Sequence, residues 1–542
     1  MHNPSTDGNS RDNINSLNKR CIRLFGFFRR RSQSSSQNQN HSSHIESKNK
    51  PQLTSDLEKN VNTIINLMDS PSDLVTRRLQ VGNYKVTLVY FDGLIDKATL
   101  NEFIIKNFQE DVSTLKNQPL SPSTSFIEYL KNEVFSAAEL KTVSTLDELM
   151  LDILSGDTAV LIDGLDQGIV IGTRGWESRS IEEPITEALV RGPRDGFTEN
   201  IRTNMVLIRR RIRDPNLRFE SFKVGRRSKK DLVISYIAGI AHPQIIDEVI
   251  RRVETIDMDD VPETGYVEQW IEDNFLSPFP QVLNTERPDK VSAALTQGKV
   301  AIFLDGTPFA LVAPLTFGET LQSPEDYYER WYIGTLIRIL RYFCAFVALF
   351  LPSLYVALVS FHPGMIPSKL AFSIISTREG VPFPSLFEAF FMELTMEILR
   401  EAGVRLPKPI GQTVGIVGGL VIGEAAVSAG IVSPIMVIVV AVTAISTFVI
   451  PTYSFAISIR MLRFVFLIVA GVFGFYGIIL TYIAINVHMA NLKSFGVPYT
   501  VPFAPSFYKD WKDLVLRAPV TFFSNRPKLM QTGDDVRMKG RK

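Results

Sequence analysis

The chain has 542 residues, which suits two or three domains, and its formal net charge is +1. A net charge so close to zero gives no global field that would select nucleic acid or an acidic substrate. The two cysteines, Cys21 and Cys344, argue against a disulfide framework or a cysteine-based zinc site. We therefore predict no bound metal and no cofactor.

Residues 1–55 are predicted to be a disordered polar and basic tail, rich in Ser, Asn and Gln. A basic and aromatic cluster within it, 20–31, is compatible with contact to an anionic lipid surface or with a simple solvated tail. The apolar patch 22–28 is too short for the core of a signal peptide. We therefore expect the N-terminal domain to stay in the cytoplasm.

Two segments of the next region repeat one pattern. Residues 156–164 and 298–306 each contain a turn glycine, an apolar strand and an Asp-Gly pair, followed by a second apolar run. This order is typical of a β-hairpin. We predict an α/β soluble N-terminal region of two subdomains, 56–180 and 181–330, related by duplication.

The aspartates of these pairs, Asp163 and Asp305, allow a metal or catalytic interpretation, but a turn with a positive φ angle explains them without chemistry. The basic stretch 202–230 allows nucleic-acid binding, yet only Phe219 and Phe222 are available within it for base stacking. A solvated helix face, or a contact to another subunit or to lipid, fits better. We therefore predict no nucleic-acid partner.

The sequence contains no phosphate-binding glycine loop followed by Lys-Ser or Lys-Thr, no His-Glu-x-x-His motif and no Gly-x-Ser-x-Gly motif. Six histidines are scattered along the chain. We predict that the protein is not an enzyme.

Residues 331–490 are predicted to form an α-helical transmembrane bundle. Three stretches, 342–361, 434–453 and 464–487, contain no Asp, Glu, Lys or Arg and reach the length of about 20 residues that crosses a bilayer. A fourth, 411–430, contains a glycine at every fourth position and one carboxylate.

The fourth stretch is the candidate pore helix. Its glycines would let another backbone approach closely: Gly411, Gly415, Gly419 and Gly423. The flanking face offers pore-lining candidates at helical spacing: Thr413, Val417, Leu420, Glu424 and Ser428. The alternative is a packed core helix whose Glu424 bonds within the bundle.

A predicted amphipathic helix, 385–402, carries Glu393, Glu397 and Glu401 along one flank. These carboxylates are candidates for a charged vestibule on an interfacial helix. A fifth membrane crossing and a plain surface helix with Glu–Arg pairs are the alternatives.

Several long segments carry a family resemblance. They are 191–199, 224–229, 382–414, 417–427 and 494–499. In this order they resemble the A subunit of GerA-type spore germinant receptors, over about residues 55 to 530. The resemblance implies a nutrient receptor in the inner membrane of a spore, triggered by amino acids or sugars.

The resemblance also implies partners. They are a permease-like B subunit, which would bind most of the nutrient, and a lipoprotein C subunit. The A subunit would itself form a homo-oligomer, a pentamer, that conducts ions through a membrane of lipid. Two alternatives to a channel remain. One is a transporter subunit that uses Glu424 at the membrane midplane, and the other is a scaffold that conducts nothing.

Membrane topology is predicted from charge. Arg338 and Arg341 precede the first apolar stretch, and the basic C-terminal tail 491–542 also favours the cytoplasm. Four crossings satisfy both ends, although Arg460 and Arg463 then lie on the wrong side. A crossing by 385–402 would correct those two residues but would export the tail.

Overall fold

The computed structural model describes residues 51–81, 84–106, 140–175, 183–184, 186–405, 419 and 421–538. Two α/β subdomains come first and an α-helical block follows them. The fold class is therefore the predicted one. The predicted boundary between the subdomains, at 180, lies outside the described residues.

The first subdomain is built on a five-stranded antiparallel sheet with the strand order β1-β2-β4-β5-β3. Helices α1 and α2 pack on one face of this sheet, and the helical turns 97–105 pack on the other. The elements are α1 (Leu57–Met68), β1 (Leu74–Val81), β2 (Tyr84–Phe91), helical turns at Lys97–Thr99 and Leu100–Ile105, β3 (Leu140–Val143), α2 (Leu146–Leu154), β4 (Thr158–Ile162) and β5 (Gly168–Ile171).

The second subdomain repeats this architecture with the strand order β6-β7-β9-β10-β8. Helices α3 and α6 cover one face, and α4 and α5 cover the other. The elements are α3 (Ile201–Arg211), β6 (Leu217–Val224), β7 (Lys230–Ile237), α4 (Pro243–Glu254), α5 (Thr264–Ile271), β8 (Leu283–Thr285), α6 (Pro288–Thr296), β9 (Val300–Leu304) and β10 (Ala310–Ala313).

The first helix of each subdomain begins with the same hydrogen bonds. The backbone nitrogen of Thr54 donates to Asn60 Oδ1 at 2.9 Å, and Asn60 Nδ2 donates back to the Thr54 carbonyl at 2.6 Å. Thr198 and Asn204 make the same two bonds at 2.8 and 2.6 Å. The shared bonds and the shared strand order support the predicted duplication.

The predicted Asp-Gly hairpins are confirmed as β4–β5 and β9–β10. The positive φ angles belong to the glycines, +89° at Gly164 and +90° at Gly306, and not to the aspartates as the turn interpretation assumed. The Asp305 carboxylate instead accepts a hydrogen bond from the backbone nitrogen of Ile201 at 3.2 Å, at the start of α3.

A buried ion pair joins the two subdomains. Arg209 is 1% exposed and donates to both oxygens of Asp73, at 2.8 and 2.9 Å, between the rings of Phe91 and Phe219. Arg211 pairs with Asp195 at 2.6 Å. The basic stretch is thus partly internal, which corrects its interpretation as a solvated face.

A short helix, α7 (Glu325–Tyr328), ends the second subdomain. The helical block that follows contains α8 (Trp331–Ser360), α9 (Ser368–Arg378), α10 (Ser385–Arg405), α11 (Pro434–Phe448) and α12 (Tyr453–Asn491). Residues 421–428 are also helical and are called the Glu424 helix below. By length and composition, α8 and α12 could cross a membrane, with mean hydropathies of 2.2 and 2.4. The predicted stretch 434–453 is interrupted, because α11 ends at Phe448 and α12 begins at Tyr453.

Helix α12 folds back on itself at Gly474, which has φ +60° and ψ −140°. The ring of Phe279 lies 6.3 Å from that of Phe455 and 6.2 Å from that of His488. In a straight helix Phe455 and His488 would be about 50 Å apart. The prediction of one span over 464–487 is therefore wrong, because the glycine at its centre reverses the chain into two arms, 453–473 and 475–491.

These contacts define two ends of the block, a near end at Phe279 of the second subdomain and a far end at Gly474. Helix α8 reaches the far end, since a Cβ atom on Gly474 would lie 3.0 Å from the side chain of Phe361. Helix α10 starts there too, because Ser385 Oγ lies 2.6 Å from Ser360 Oγ.

Helix α10 then runs back to the near end. It pairs Glu393 with Arg463 and Glu397 with Arg460, so positions that rise along α10 fall along the first arm of α12. The two helices are therefore antiparallel. Because the first arm runs from the near end to Gly474, α10 runs the opposite way.

Helix α11 lies parallel to α10. The backbone nitrogen of Ser433 donates to Glu388 at 2.9 Å at the far end, and Arg400 lies 5.1 Å from the ring of Phe448 toward the near end. The chain between α10 and α11 therefore joins the near end to the far end. The Glu424 helix is the main described part of that connection.

Both termini of the described chain pack against the α/β region. Gln52 bridges to Thr145, so residues 51–55 belong to the first subdomain and not to the predicted tail, whose remaining residues lie outside the described chain. The predicted C-terminal tail also folds back. Ser494 Oγ donates to the Gln281 carbonyl at 2.6 Å, and Met530 is buried in the second subdomain.

Candidate functional site

The Glu424 helix presents one face to the outside of the chain. Glu424 and Ser428 are both exposed and lie four positions apart, so they share a face, as predicted. Val421 is 54% exposed on the same side. Gly423 is buried, and a Cβ atom there would lie 3.5 Å from Val437 Cγ1 of α11.

Glu424 forms no ion pair or hydrogen bond with any other described residue. The packed-core alternative required its carboxylate to bond within the bundle, and no such bond occurs in the part of the chain that the structure describes. The contact between Gly423 and Val437 lies one turn into α11, close to its start at the far end. Glu424 is thus nearer the far end than the middle of the helical block, and its midplane position in a transporter stays a prediction.

The other residues of the predicted pore helix are only partly described. Gly411, Thr413, Gly415, Val417 and Leu420 lie outside the described residues. Gly419 is helical, and a Cβ atom there would meet no described atom within 4 Å. The Gly423 contact is an ordinary van der Waals distance to a side chain, so the close backbone approach predicted for the glycine ridge stays a prediction.

A network of charges lies inside the helical block. Glu393 is 1% exposed and forms an ion pair with Arg463 at 2.8 Å, while Glu397 lies 3.3 Å from Arg463 and from Arg400 and 3.4 Å from Arg460. The charged flank of the predicted amphipathic helix is therefore packed against other helices, unlike that of a plain surface helix, and its placement at a membrane interface stays a prediction. Charged groups among apolar helices are expensive unless paired, and these are paired.

The network explains why Arg460 and Arg463 can lie on the side of the membrane that the four predicted crossings gave them. Arg460 and Arg463 neutralise the carboxylates of α10 and need no contact with water. Of the three vestibule candidates, only Glu401 is exposed. It lies toward the near end of the block and pairs with Arg405 at 2.6 Å. Glu393 and Glu397 instead hold α10 against α12.

A second buried cluster connects α8 to the soluble region. Asp326 of α7 is 1% exposed and accepts from Arg338 at 3.1 Å and from Arg341 at 2.6 Å. Arg338 also pairs with Asp513 of the C-terminal segment at 3.0 Å, and burial raises the pKa of that carboxyl above its ordinary value. The arginines interpreted as topology signals are thus structural, a role that sequence alone does not show because their partners are distant.

The surface of the block is apolar. Large side chains more than half exposed include Phe343, Phe346, Ile438, Phe473 and Tyr476. An exposed apolar surface of this extent marks a contact with lipid or with another protein. Within the described ranges, no group of three His, Cys, Asp or Glu side chains is placed to hold a metal ion.

Comparison with known proteins finds relatives that cover most of this chain. Residues 62–529 match the model of the Bacillus/Clostridium GerA spore germination protein family. Spore germination protein GerLA of Bacillus cereus is 51% identical over 478 residues, 88% of this chain and 96% of the relative. YfkQ of Bacillus subtilis strain 168, described as an uncharacterized membrane protein, is 42% identical over 89% of this chain and 93% of its own.

A solved structure is also similar, that of the N-terminal domain of the A subunit of the Bacillus megaterium spore germinant receptor GerK3. It is 31% identical with a TM-score of 0.40, and it covers 50% of this chain and 99% of that one. From the family match and the identity to GerLA over nearly its whole length, the chain belongs to the GerA family of spore germination proteins.

Proposed function

We propose that the chain is the membrane subunit of a nutrient-responsive spore germinant receptor and that five copies assemble into a cation channel around residues 411–430. Opening of this channel would release ions and start germination. The observation that carries the proposal is the Glu424 carboxylate, exposed on the helical block without a partner among the described residues.

A carboxylate that faces lipid is unfavourable, whereas one that faces a water-filled axis is not. Around a symmetric axis, one Glu424 per subunit forms a ring of negative charge that attracts cations and repels anions. Val417 and Leu420 precede Glu424 by seven and four positions in the sequence, about two turns and one turn of a continuous helix, and would close the lumen by excluding water. Glu401 would line the near-end mouth.

The proposed topology has both ends of the chain in the cytoplasm. The C-terminal segment packs on the second subdomain, so the block contains an even number of crossings. We propose six: α8, α10, the connection that contains the Glu424 helix, α11 and the two arms of α12. This replaces the four predicted crossings, because α12 contributes two and α10 one.

Labelling of single cysteines tests this topology in a variant that lacks Cys21 and Cys344. Met365, 64% exposed near the far end, should react as Met365→Cys with an impermeant maleimide added to intact cells. Val536, 56% exposed in the C-terminal segment, should react as Val536→Cys only after the membrane is opened. Reaction of the cysteine at 536 in intact cells would overturn the proposal.

The channel is tested by ion flux in liposomes that contain the chain together with its permease-like B subunit and its lipoprotein C subunit. Glu424→Gln should assemble normally but lose preference for cations over anions. Val417→Ala should leak without nutrient. Asp163→Asn is the control, because Asp163 is an exposed carboxylate in a turn of the first subdomain, away from the proposed lumen.

Two other results would replace the proposal with another function. Flux that saturates with nutrient and needs no B subunit would indicate a transporter subunit. A complex that binds nutrient but conducts nothing in any state would indicate a scaffold. We assign most of the nutrient binding to the B subunit, so nutrient dependence should vanish when that subunit is omitted.

A further inference from the structure

A cavity of about 340 Å³ lies between the second subdomain and the C-terminal segment. Its walls come from α6, from α7 and from residues 517–538, so it forms only where the chain returns from the helical block. The volume falls within the range of about 300–1,000 Å³ that is usual for small-molecule sites. No described residue of the network around Glu393 or of the Glu424 helix contributes to it.

Arg517 lines this cavity and is only 3% exposed. Its guanidinium makes a single hydrogen bond, from Nη2 to the Tyr327 carbonyl at 3.4 Å, and lies 5.5 Å from the Tyr327 ring. Its Nε is buried without a hydrogen-bond partner, and no carboxylate of the described chain lies within ion-pair distance. Arginine offers five donors, so most of them are left for another acceptor.

Most of the other charges that line the cavity are already paired, and the exception, Arg537, is exposed and forms no ion pair with a described residue. Lys299 pairs with Glu319 at 2.5 Å, and Lys290 pairs with Glu187 at 2.8 Å. Asp289 accepts from Arg287 at 2.9 Å. Arg517 therefore supplies an uncompensated positive charge inside the walls, and a buried charge of this kind is unfavourable without a counter-charge.

The remaining lining combines three polar side chains, Gln297, Gln322 and Ser323, with apolar and aromatic ones. The apolar and aromatic side chains include Tyr327, Tyr328, Val520 and Phe523. A site of this composition fits a molecule with an apolar body and one anionic group. We infer that the cavity binds a small organic acid whose carboxylate pairs with Arg517 and whose body packs among the tyrosines and Phe523.

Binding there would act directly on the first helix of the membrane block. Tyr327 and Tyr328 follow Asp326 directly in the chain. The Asp326 carboxylate forms ion pairs with Arg338 and Arg341 of α8. Residue 517 also exchanges backbone hydrogen bonds with Thr335 Oγ1, both at 3.1 Å. The cavity thus adjoins the residues that hold α8 in place. Binding of an anion there would change the contacts of α8, whether or not the block conducts ions.

Calorimetry on the purified full chain tests the site with three probes. They are 3-phenylpropionate, its uncharged amide, and acetate, which has the charge without the body. The account predicts saturable binding of 3-phenylpropionate, with the amide and acetate each weaker by at least about tenfold, because a charge-assisted hydrogen bond and the apolar contact are each lost. Equal binding of the acid and the amide, or saturable binding of none, would overturn it.

Two variants locate the binding. Arg517→Met removes the charge and should weaken the binding of 3-phenylpropionate by at least about tenfold. Ala293→Phe fills the cavity from an exposed position of α6 and should abolish binding while Arg517 stays in place. Because Ala293 is exposed, its variant should fold even where Arg517→Met does not, and unchanged binding in a folded Ala293→Phe chain would contradict the assignment.

Discussion

The two α/β subdomains share their strand order, their Thr–Asn hydrogen bonds and their glycine turns, but the structure joins them to different partners. The first contacts the second through the pair of Arg209 and Asp73. The second also contacts the helical block through Phe279 and the C-terminal segment through Gln281. Features present in both copies therefore serve folding, whereas those present in the second alone connect the α/β region to the helical block.

The largest expected effect comes from a connection that the second copy alone possesses. Asp326→Asn leaves Arg341 buried without a carboxylate, and the loss of one partner from a buried ion pair costs about 3–5 kcal/mol. Thermal unfolding of the purified chain should show this loss, and the membranes should contain much less of the protein. Glu325→Gln, a change of the neighbouring residue without a salt bridge, should have little effect. If the two variants unfold alike, the cluster is not what holds α8 to the soluble region.

A smaller effect, equal in both copies, is expected at the shared turns. Gly164→Val and Gly306→Val each place a β-branched residue at a φ angle near +90°, which costs about 1–3 kcal/mol. Both variants should lower the unfolding temperature by similar amounts. Asn at either position should be tolerated better, because Asn adopts positive φ more readily. A large loss in only one copy would show that the turns are not equivalent.

A pH-dependent effect on stability is expected from the second subdomain, through Glu268. In α5, burial and the nearby Glu272 and Glu263 raise the pKa of Glu268 from 4.5 to about 8. The folded state therefore holds this proton more tightly than the unfolded state, and stability is lost as the pH rises from about 4.5 to 8. Glu268→Gln removes that loss.

The unfolding temperature of Glu268→Gln should therefore exceed that of the unchanged chain at pH 8 and approach it at pH 5. Glu254→Gln, at the end of α4 on the same side of the sheet, is the control and should show no such difference. A pH profile of Glu268→Gln parallel to that of the unchanged chain would argue against a raised pKa.

The smallest effect is expected for the aspartates of the turns. Asp163→Asn and Asp305→Asn keep an oxygen acceptor at each position, including the one that bonds the Ile201 nitrogen, so stability should change by less than about 0.5 kcal/mol. Germination should also be unaffected. Loss of germination at normal protein levels would point to chemistry at these residues.

Local patterns explain what could be predicted from the sequence. The hairpins at Gly164 and Gly306 follow from neighbouring residues, and so does the shared face of Glu424 and Ser428. The pairs Glu393–Arg463 and Asp326–Arg338 join distant positions, so charge counting alone assigned the arginines to membrane surfaces. The reversal at Gly474 was missed because a glycine within an apolar stretch is compatible with a continuous helix.

The most direct test of the central claim, that Glu424 faces the lumen of a channel, is chemical modification during ion flux. A chain without Cys21 and Cys344 carries Glu424→Cys, and liposomes with the assembled receptor are exposed to a cationic methanethiosulfonate reagent. The account predicts that nutrient-triggered cation flux falls sharply on modification and is unchanged in the chain without the new cysteine. Full labelling at position 424 with undiminished flux would contradict it, because a charged adduct inside the lumen cannot leave the passage of cations unaffected.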